Sequence, residues 1–234
     1  MFVKACATNR NAIYGLLASS SPKPNTITAS NGSAFIVAPG FLVTAAHCVH
    51  RETKHQKAVH TKLELIRVPD IGQRMELATL HAIDDSLDVA ILRIDSPRSN
   101  QCLRLLDAPV PRGASVGSLG FPLGQVLFSP QGMGFNVVER FQSASLSAFV
   151  TVTRPDGSTD EYYETDSLMY GGSSGCPGFL TTGEVWGMQN RSLMQAPQTK
   201  KEGASSPDAT RLAVSLWVPS TVILRFARQH QVPV

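Results

Sequence analysis

Short apolar runs broken by Gly, Pro, Asn, Asp and Ser recur along the whole chain. That spacing predicts an all-β protein whose strands reverse about every 8–12 residues, as in sandwiches and barrels. Ser33-Ala34-Phe35-Ile36-Val37 and Phe41-Leu42-Val43-Thr44 flank Pro39-Gly40, which reads as two strands joined by a tight turn. Further short strands are expected over Leu63–Val68, Glu76–Ile83 and Val89–Ile94, completing a first barrel near Cys102. Leu106–Gly113 is a proline-spaced connector. After it the apolar runs resume at Ser115–Gly120, Gln125–Phe128, Asn136–Glu139, Ala144–Thr153, Gly178–Thr181, Val185–Gln189 and Arg211–Val218. A helical period emerges only past Pro219, where Val222, Leu224, Phe226 and Ala227 sit among Arg225, Arg228 and Gln229. It predicts a C-terminal helix packed across a second barrel. Ala196–Asp208, rich in Pro, Lys, Gly and Ser, reads as a surface loop that carries no chemistry.

Composition agrees with this picture. Of 234 residues 42% are hydrophobic and 17% charged, with 18 glycines and 15 prolines, which suits a folded, turn-rich chain. A net charge of +3 without a basic stripe gives no reason to expect a nucleic-acid partner. No run approaches the roughly 18 apolar residues of a membrane span. Met1-Phe2-Val3-Lys4 reads as a natural start without a secretory leader. The expectation is a cytoplasmic protein with no membrane partner, or a secreted or periplasmic one if a leader has been removed.

The chemistry concentrates in three segments. Gly172-Ser173-Ser174-Gly175-Cys176-Pro177 places a serine in a glycine-rich turn, and a serine hydroxyl is inert unless a base lies in reach. Thr44-Ala45-Ala46-His47-Cys48 supplies a histidine directly after a strand, and Asp88-Val89-Ala90-Ile91-Leu92 an aspartate directly before one. Singly these are an ordinary packed histidine, strand start and turn. Jointly they give the order His, Asp, Ser used by one class of acyl-transfer enzyme.

From Gly32 to Arg225 the chain resembles the trypsin-like serine peptidases, above all the disulfide-poor branch that includes the HtrA-type protease domains. Gly120-Phe121-Pro122-Leu123-Gly124 is similar to the segment opening that branch's second barrel, and Leu216-Trp217-Val218-Pro219-Ser220 to its last strand and helix start. Nothing resembling a PDZ domain follows. The resemblance implies two antiparallel six-stranded, chymotrypsin-like β-barrels with a C-terminal helix. Residues 1–107 would form the barrel carrying His47 and Asp88. Residues 108–234 would form the one carrying Ser174, with the helix from about 219, and the site would lie in the cleft between them. It also implies that Ser174 attacks, His47 is the general base, Asp88 orients it, and the N–H groups of Gly172 and Ser174 form the oxyanion hole. Asp84 and Asp85 compete with Asp88, but neither directly precedes the apolar strand. The substrate would be a protein or peptide, and no cofactor is needed. Two other readings share the scaffold: a silent module that docks peptides without cutting them, and an esterase.

Several positions depart from the family pattern. Ser173 replaces the aspartate that pairs with a new amino terminus in digestive enzymes, so activity is expected to be constitutive or set by a regulatory partner or a loop rearrangement. Secreted members pair the cysteine after the histidine with one shortly upstream. Asn31-Gly32-Ser33 and their neighbours contain none, so Cys48 reads as a buried thiol in a reducing compartment. Cys176 stands at a usual glycine and reads as structural. Leu168 and Met169 occupy the substrate pocket by resemblance and point to small or medium apolar side chains, with Asp166 close by. Gly187–Arg191 resembles the strand that binds the substrate backbone and puts Gln189 and Asn190 beside the substrate. His50, His55 and His60 lack a metal-ligand spacing and sit among Arg51, Lys54 and Lys57, a solvated basic loop. The chain reads either as a whole small protease or as the catalytic module of a larger one.

Overall fold

The computed structural model describes residues 1–23, 26–52, 57–70, 72, 74–129, 132–154, 156–195 and 210–234. The chain opens with α1 (Val3–Asn9) and runs through β1 (Ile13–Lys23), β2 (Thr26–Ala38), β3 (Phe41–Ala45) and the single turn α2 (Ala46–Val49). A hairpin of β4 (His50–Glu52) and β5 (Lys57–Val59) precedes β6 (Lys62–Ile66), β7 (Glu76–Asp84) and β8 (Val89–Arg93). After the connector come β9 (Ser115–Gly120), β10 (Gln125–Ser129), β11 (Gly132–Asn136), β12 (Arg140–Thr153) and β13 (Thr159–Thr165). Then follow β14 (Pro177–Phe179), β15 (Val185–Gln195), β16 (Thr210–Pro219) and α3 (Ser220–Gln229).

Two closed antiparallel rings of six strands result, ordered β1-β2-β3-β8-β7-β6 and β12-β13-β16-β15-β14-β9. The first closes because β1 pairs on both edges: Gly15 faces Ser33 on one side and Ile66 on the other. In the second, β9 pairs with both β12 and β14. This is the all-β, two-barrel, chymotrypsin-like architecture that the resemblance implies. β7 alternates buried Glu76, Ala78 and Ala82 with exposed Leu77, Thr79 and His81, as a strand with one wet face requires. From Ser33 onward β2 is buried on both faces, since it lies against the other barrel.

Several elements were not expected from the sequence, among them the β4–β5 hairpin and a buried His60 where a solvated basic loop was expected, and α1, β1 and β13. α1 is too short to show a helical period and is held from outside. Phe2 packs against Phe141 and Phe179 (ring centroids 5.5 and 6.2 Å), Asn9 Nδ2 donates to Gly183 O at 2.9 Å, and Arg10 pairs with Glu139. β1 begins apolar but ends in a serine run that hides its alternation. β13 carries a buried aspartate, Asp160, which Arg154 Nε neutralises at 2.6 Å. Gln125–Phe128 is a strand as expected, yet among the described residues it pairs only with β11, outside both rings. Asn136–Glu139 is a joint instead of a strand, between the end of β11 and the start of β12. Ala196–Asp208 lies outside the described residues.

The barrels are not simple halves of the chain. The chain crosses ahead of the connector, between Leu103, whose N–H donates to Ile36 O, and Leu105, which bridges to Val185. α1 packs on the second barrel, while α3 reaches back towards the first, where His81 Nε2 donates to His230 O at 3.0 Å. As expected, a helix begins just after Pro219: α3, whose buried face includes Val222, Ile223, Leu224, Phe226 and Ala227. The second barrel also has a core of its own around Trp186 and Trp217, with ring centroids 4.8 Å apart. Because Phe2 anchors the amino-terminal segment, Phe2→Ala should lower unfolding stability by about 3 kcal/mol. Urea denaturation should show the shift as a lower midpoint with an unchanged slope.

Candidate active site

The turn between β7 and β8 holds Asp88 in a left-handed conformation, φ 54°, which an aspartate tolerates better than a bulky residue. Its carboxylate is thereby placed over α2. Oδ1 accepts from the main-chain N–H of His47 at 2.8 Å, and Oδ2 accepts from His47 Nδ1 at 2.7 Å. The main chain repeats the link, since Ala46 N donates to Asp88 O at 3.1 Å. With Nδ1 engaged, Nε2 is the ring nitrogen left for chemistry. The His47 side chain is 48% exposed.

Ser174 sits in the turn before β14. Gly172 has φ 89°, and a Cβ there would come within 2.6 Å of Phe121 O, so only glycine fits. Ser33 fastens this turn to the first barrel. Its N–H donates to Ser174 O at 2.8 Å, and its hydroxyl donates to Gly172 O at 2.9 Å while accepting from Phe121 N at 3.1 Å. Leu123 N donates to Gly171 O at 2.6 Å. A trans peptide points its N–H opposite to its carbonyl, so this bond directs the Gly172 N–H away from Leu123. Among the described residues nothing accepts from the N–H of Gly172 or of Ser174. The loop carrying Leu123 is itself tied by Asn31 Nδ2 to Gly124 O at 3.0 Å and by Arg140 Nη1 to Pro122 O at 2.6 Å.

The Ser174 hydroxyl donates to Asn190 O at 3.3 Å, and among the described residues no hydrogen bond joins it to His47. The connection runs through Asn190, whose Nδ2 donates to Asp88 Oδ2 at 2.7 Å. The histidine is exposed while the carboxylate and the serine are half-buried, and a serine hydroxyl is activated only when such a base comes within its reach.

The profile of the trypsin-like peptidase domain matches residues 32–188, most of the chain and all three of these residues. The chain belongs to the trypsin-like peptidase family. Its enzymatic class is accordingly that of a serine protease. No curated protein matches it. Among solved structures it is similar to the active form of the Rv3671c protease from M. tuberculosis, at 18% identity and TM-score 0.67, covering 97% of this chain and 84% of that one. It is also similar to the HtrA-type protease AlgW with a tripeptide, at 18% identity and TM-score 0.69, covering 100% of this chain and 64% of that one. These likenesses concern the fold.

In this trypsin-like peptidase the other expected site residues fall in different places. Leu168 is half-buried, and its carbonyl accepts from Gln142 Nε2 at 3.2 Å. Met169 is buried, and its carbonyl accepts from Ser192 Oγ at 3.1 Å. Gln189 is buried with its main chain committed to Cys176 O and Gly175 N, and the Asn190 side chain goes to Asp88, so neither side chain lies in the open cleft. Asp166 is turned towards Ser145 N at 2.7 Å. Beside Leu168 lies an uncharged hydroxyl cluster, with Thr165 Oγ1 2.7 Å from Ser215 Oγ and Ser167 Oγ 3.3 Å from Ser215 Oγ. Sequence reasoning missed Ser33, Leu123 and the Asn190 support. Ser33 gave no signal beyond its place at a strand start.

The four cysteines are free thiols. Cys176 is buried, which pushes its thiol up to about 12, and the hydrogen bond to Ser33 Oγ only partly offsets this. It is therefore not a thiolate near neutrality. His50 faces Asp85 at 3.2 Å and His60 faces Ser20 Oγ at 3.2 Å, while His55 lies outside the described residues.

Burial is the largest single influence on the His47 imidazole and pulls it down, but the hydrogen bonds and charges of Asp88 and Cys48 together outweigh it. The ring is held above its ordinary 6.5. The protonated ring therefore persists to higher pH, and the neutral ring, the form able to accept a proton, appears only above the raised value. Titration of the His47 ring protons by NMR should give a midpoint above 6.5. In Asp88→Asn the upward contribution of the carboxylate is lost, burial remains, and the midpoint should fall below that of the wild type.

Proposed function

We propose that this domain is a serine endopeptidase that cleaves through an acyl-enzyme intermediate at Ser174. His47 Nε2 takes the Ser174 hydroxyl proton as the oxygen bonds to the scissile carbonyl carbon, and gives that proton to the leaving amine as the C–N bond breaks. Water, giving a proton to the same nitrogen, then attacks the acyl carbon, and the imidazolium returns that proton to Ser174 Oγ as the ester C–O bond breaks and the acid product leaves. Asp88 keeps Nδ1 as the donor and stabilises the transient imidazolium. The N–H groups of Gly172 and Ser174 receive the oxyanion, and one donor of that kind contributes about 10²–10³ in turnover.

The observation that carries this reading is the two-point grip of Asp88 on His47, at 2.7 and 2.8 Å, which presents Nε2 to the cleft. The N–H groups of Gly172 and Ser174, without an acceptor among the described residues, support it. Leu168 beside the uncharged Thr165, Ser167 and Ser215 hydroxyls favours small or medium apolar substrate residues, because a buried charge would find no partner there. The turn is already fastened by Ser33, by Gly175 N to Gln189 O and by Ser173 N to Tyr170 O. It needs no ion pair from a newly cut amino terminus, so activity does not wait on one.

The Ser174 hydroxyl rests on Asn190 O, which favours the rival reading of a silent peptide-binding module and sets the decisive test. A fluorophosphonate probe should label the wild type once, at Ser174, and leave Ser174→Ala unlabelled. Asp88→Asn should lower kcat on a peptide substrate about 10⁴-fold. No labelling and no cleavage across a peptide library would overturn the proposal in favour of the binding module. Labelling with turnover of esters alone would make the protein an esterase.

A further inference from the structure

Arg191 follows Asn190 on β15 and has no role in the reaction as described so far. Its guanidinium is exposed yet precisely engaged. Nε donates to Asn190 Oδ1 at 2.9 Å, one terminal nitrogen donates to Tyr162 OH at 3.2 Å, and the group lies 5.5 Å over the Tyr162 ring. Tyr162 is itself buried in β13, so the guanidinium rests on a fixed platform. Hydrogen bonding and stacking together restrict a planar guanidinium far more than either does alone.

The consequence passes to Asn190. A primary amide has a donor end and an acceptor end, and turning it over exchanges them. The ionised Asp88 carboxylate only accepts, and the Arg191 guanidinium only donates. With Arg191 on one side and Asp88 on the other, a single orientation satisfies both: Oδ1 towards Arg191 and Nδ2 towards Asp88. Turned over, the amide would set its oxygen against the carboxylate and its NH₂ against the guanidinium. Asn190 is buried and has no other side-chain partner among the described residues. Its donation falls on Oδ2, the same oxygen that receives His47 Nδ1.

We propose that Arg191 is a positioning residue for peptide hydrolysis, locking the Asn190 amide so that it donates to Asp88 and holds the carboxylate square to His47. The inference rests on the proposed roles of His47, Asp88 and Ser174. It sets a chain of four groups, Arg191 to Asn190 to Asp88 to His47, with Tyr162 as its outer support.

The test is a double-mutant cycle of Arg191→Ala, Asn190→Ala and the double variant in the full chain, reading kcat and KM separately on one peptide substrate. Arg191→Ala should lower kcat about tenfold, the loss expected of one charge-assisted hydrogen bond, and leave KM unchanged. In the Asn190→Ala background the same change should cost nothing further. Independent, multiplicative losses would overturn the proposal, as would a raised KM with kcat intact, which would make Arg191 a substrate contact. In a Ser174→Ala background, adding Arg191→Ala should lower the His47 midpoint seen by NMR, and an unmoved midpoint would overturn the clamp. This last readout needs no turnover. A failure of the proposed peptidase activity, seen as no labelling of the wild type, is thus told apart from a failure of the Arg191 proposal.

Discussion

The hydrogen bonds of Ser33 tie a turn of the second barrel to a strand of the first, and the geometry around Ser174 follows from them. Ser33 is wholly buried; its N–H goes to Ser174 O, its hydroxyl to Gly172 O, and its carbonyl accepts from Thr44 Oγ1 at 2.7 Å. Thr44 lies on β3, one turn ahead of His47. One residue therefore fixes the turn with the proposed nucleophile against the strand that delivers the proposed base. The close fit of Gly175 against the Ser33 carbonyl leaves no room for a side chain, so the contact is rigid as well as bonded. Two barrels joined only by apolar packing could slide by fractions of an ångström, and acyl transfer is sensitive to displacements of that size.

Around this seam the chain holds strained backbone where chemistry is proposed. Asp88 and Leu123 are both non-glycine residues with positive φ, 54° and 60°. One delivers a carboxylate to His47, and the other an N–H to Gly171 O. Such conformations cost about 1–2 kcal/mol each, and each is retained by the bonds it makes possible. Asp88 is repaid by N–H donors from His47 and Asn190, and Leu123 by a loop secured through Asn31 and Arg140.

The fold class was legible in the sequence, and His47, Asp88 and Ser174 were singled out from it, for a common reason. Turn punctuation, a histidine after a strand, an aspartate before one and a serine between glycines are local patterns, and the stretch that matches the family, residues 32–188, contains all three residues. What escaped was settled at long range. α1 exists because Phe2 finds Phe141 and Phe179, and β13 tolerates Asp160 because Arg154 reaches it. Asn190 read as a substrate-binding residue from its place on β15. Its side chain turns to Asp88 because β15 is irregular between Gln189 and Arg191, a break in register that no local pattern announces. The division at residue 107 was likewise drawn along the sequence, whereas α1 and α3 each pack across it.

The central claim is that the Ser33 seam presents Ser174 for reaction. The measurement that tests it most directly is the rate of Ser174 acylation by a fluorophosphonate in Ser33→Ala, followed by intact mass with circular dichroism to verify folding. The account predicts a folded chain whose acylation is at least about tenfold slower, since two positioning hydrogen bonds of the hydroxyl are lost. A folded Ser33→Ala chain acylated at the wild-type rate would contradict it.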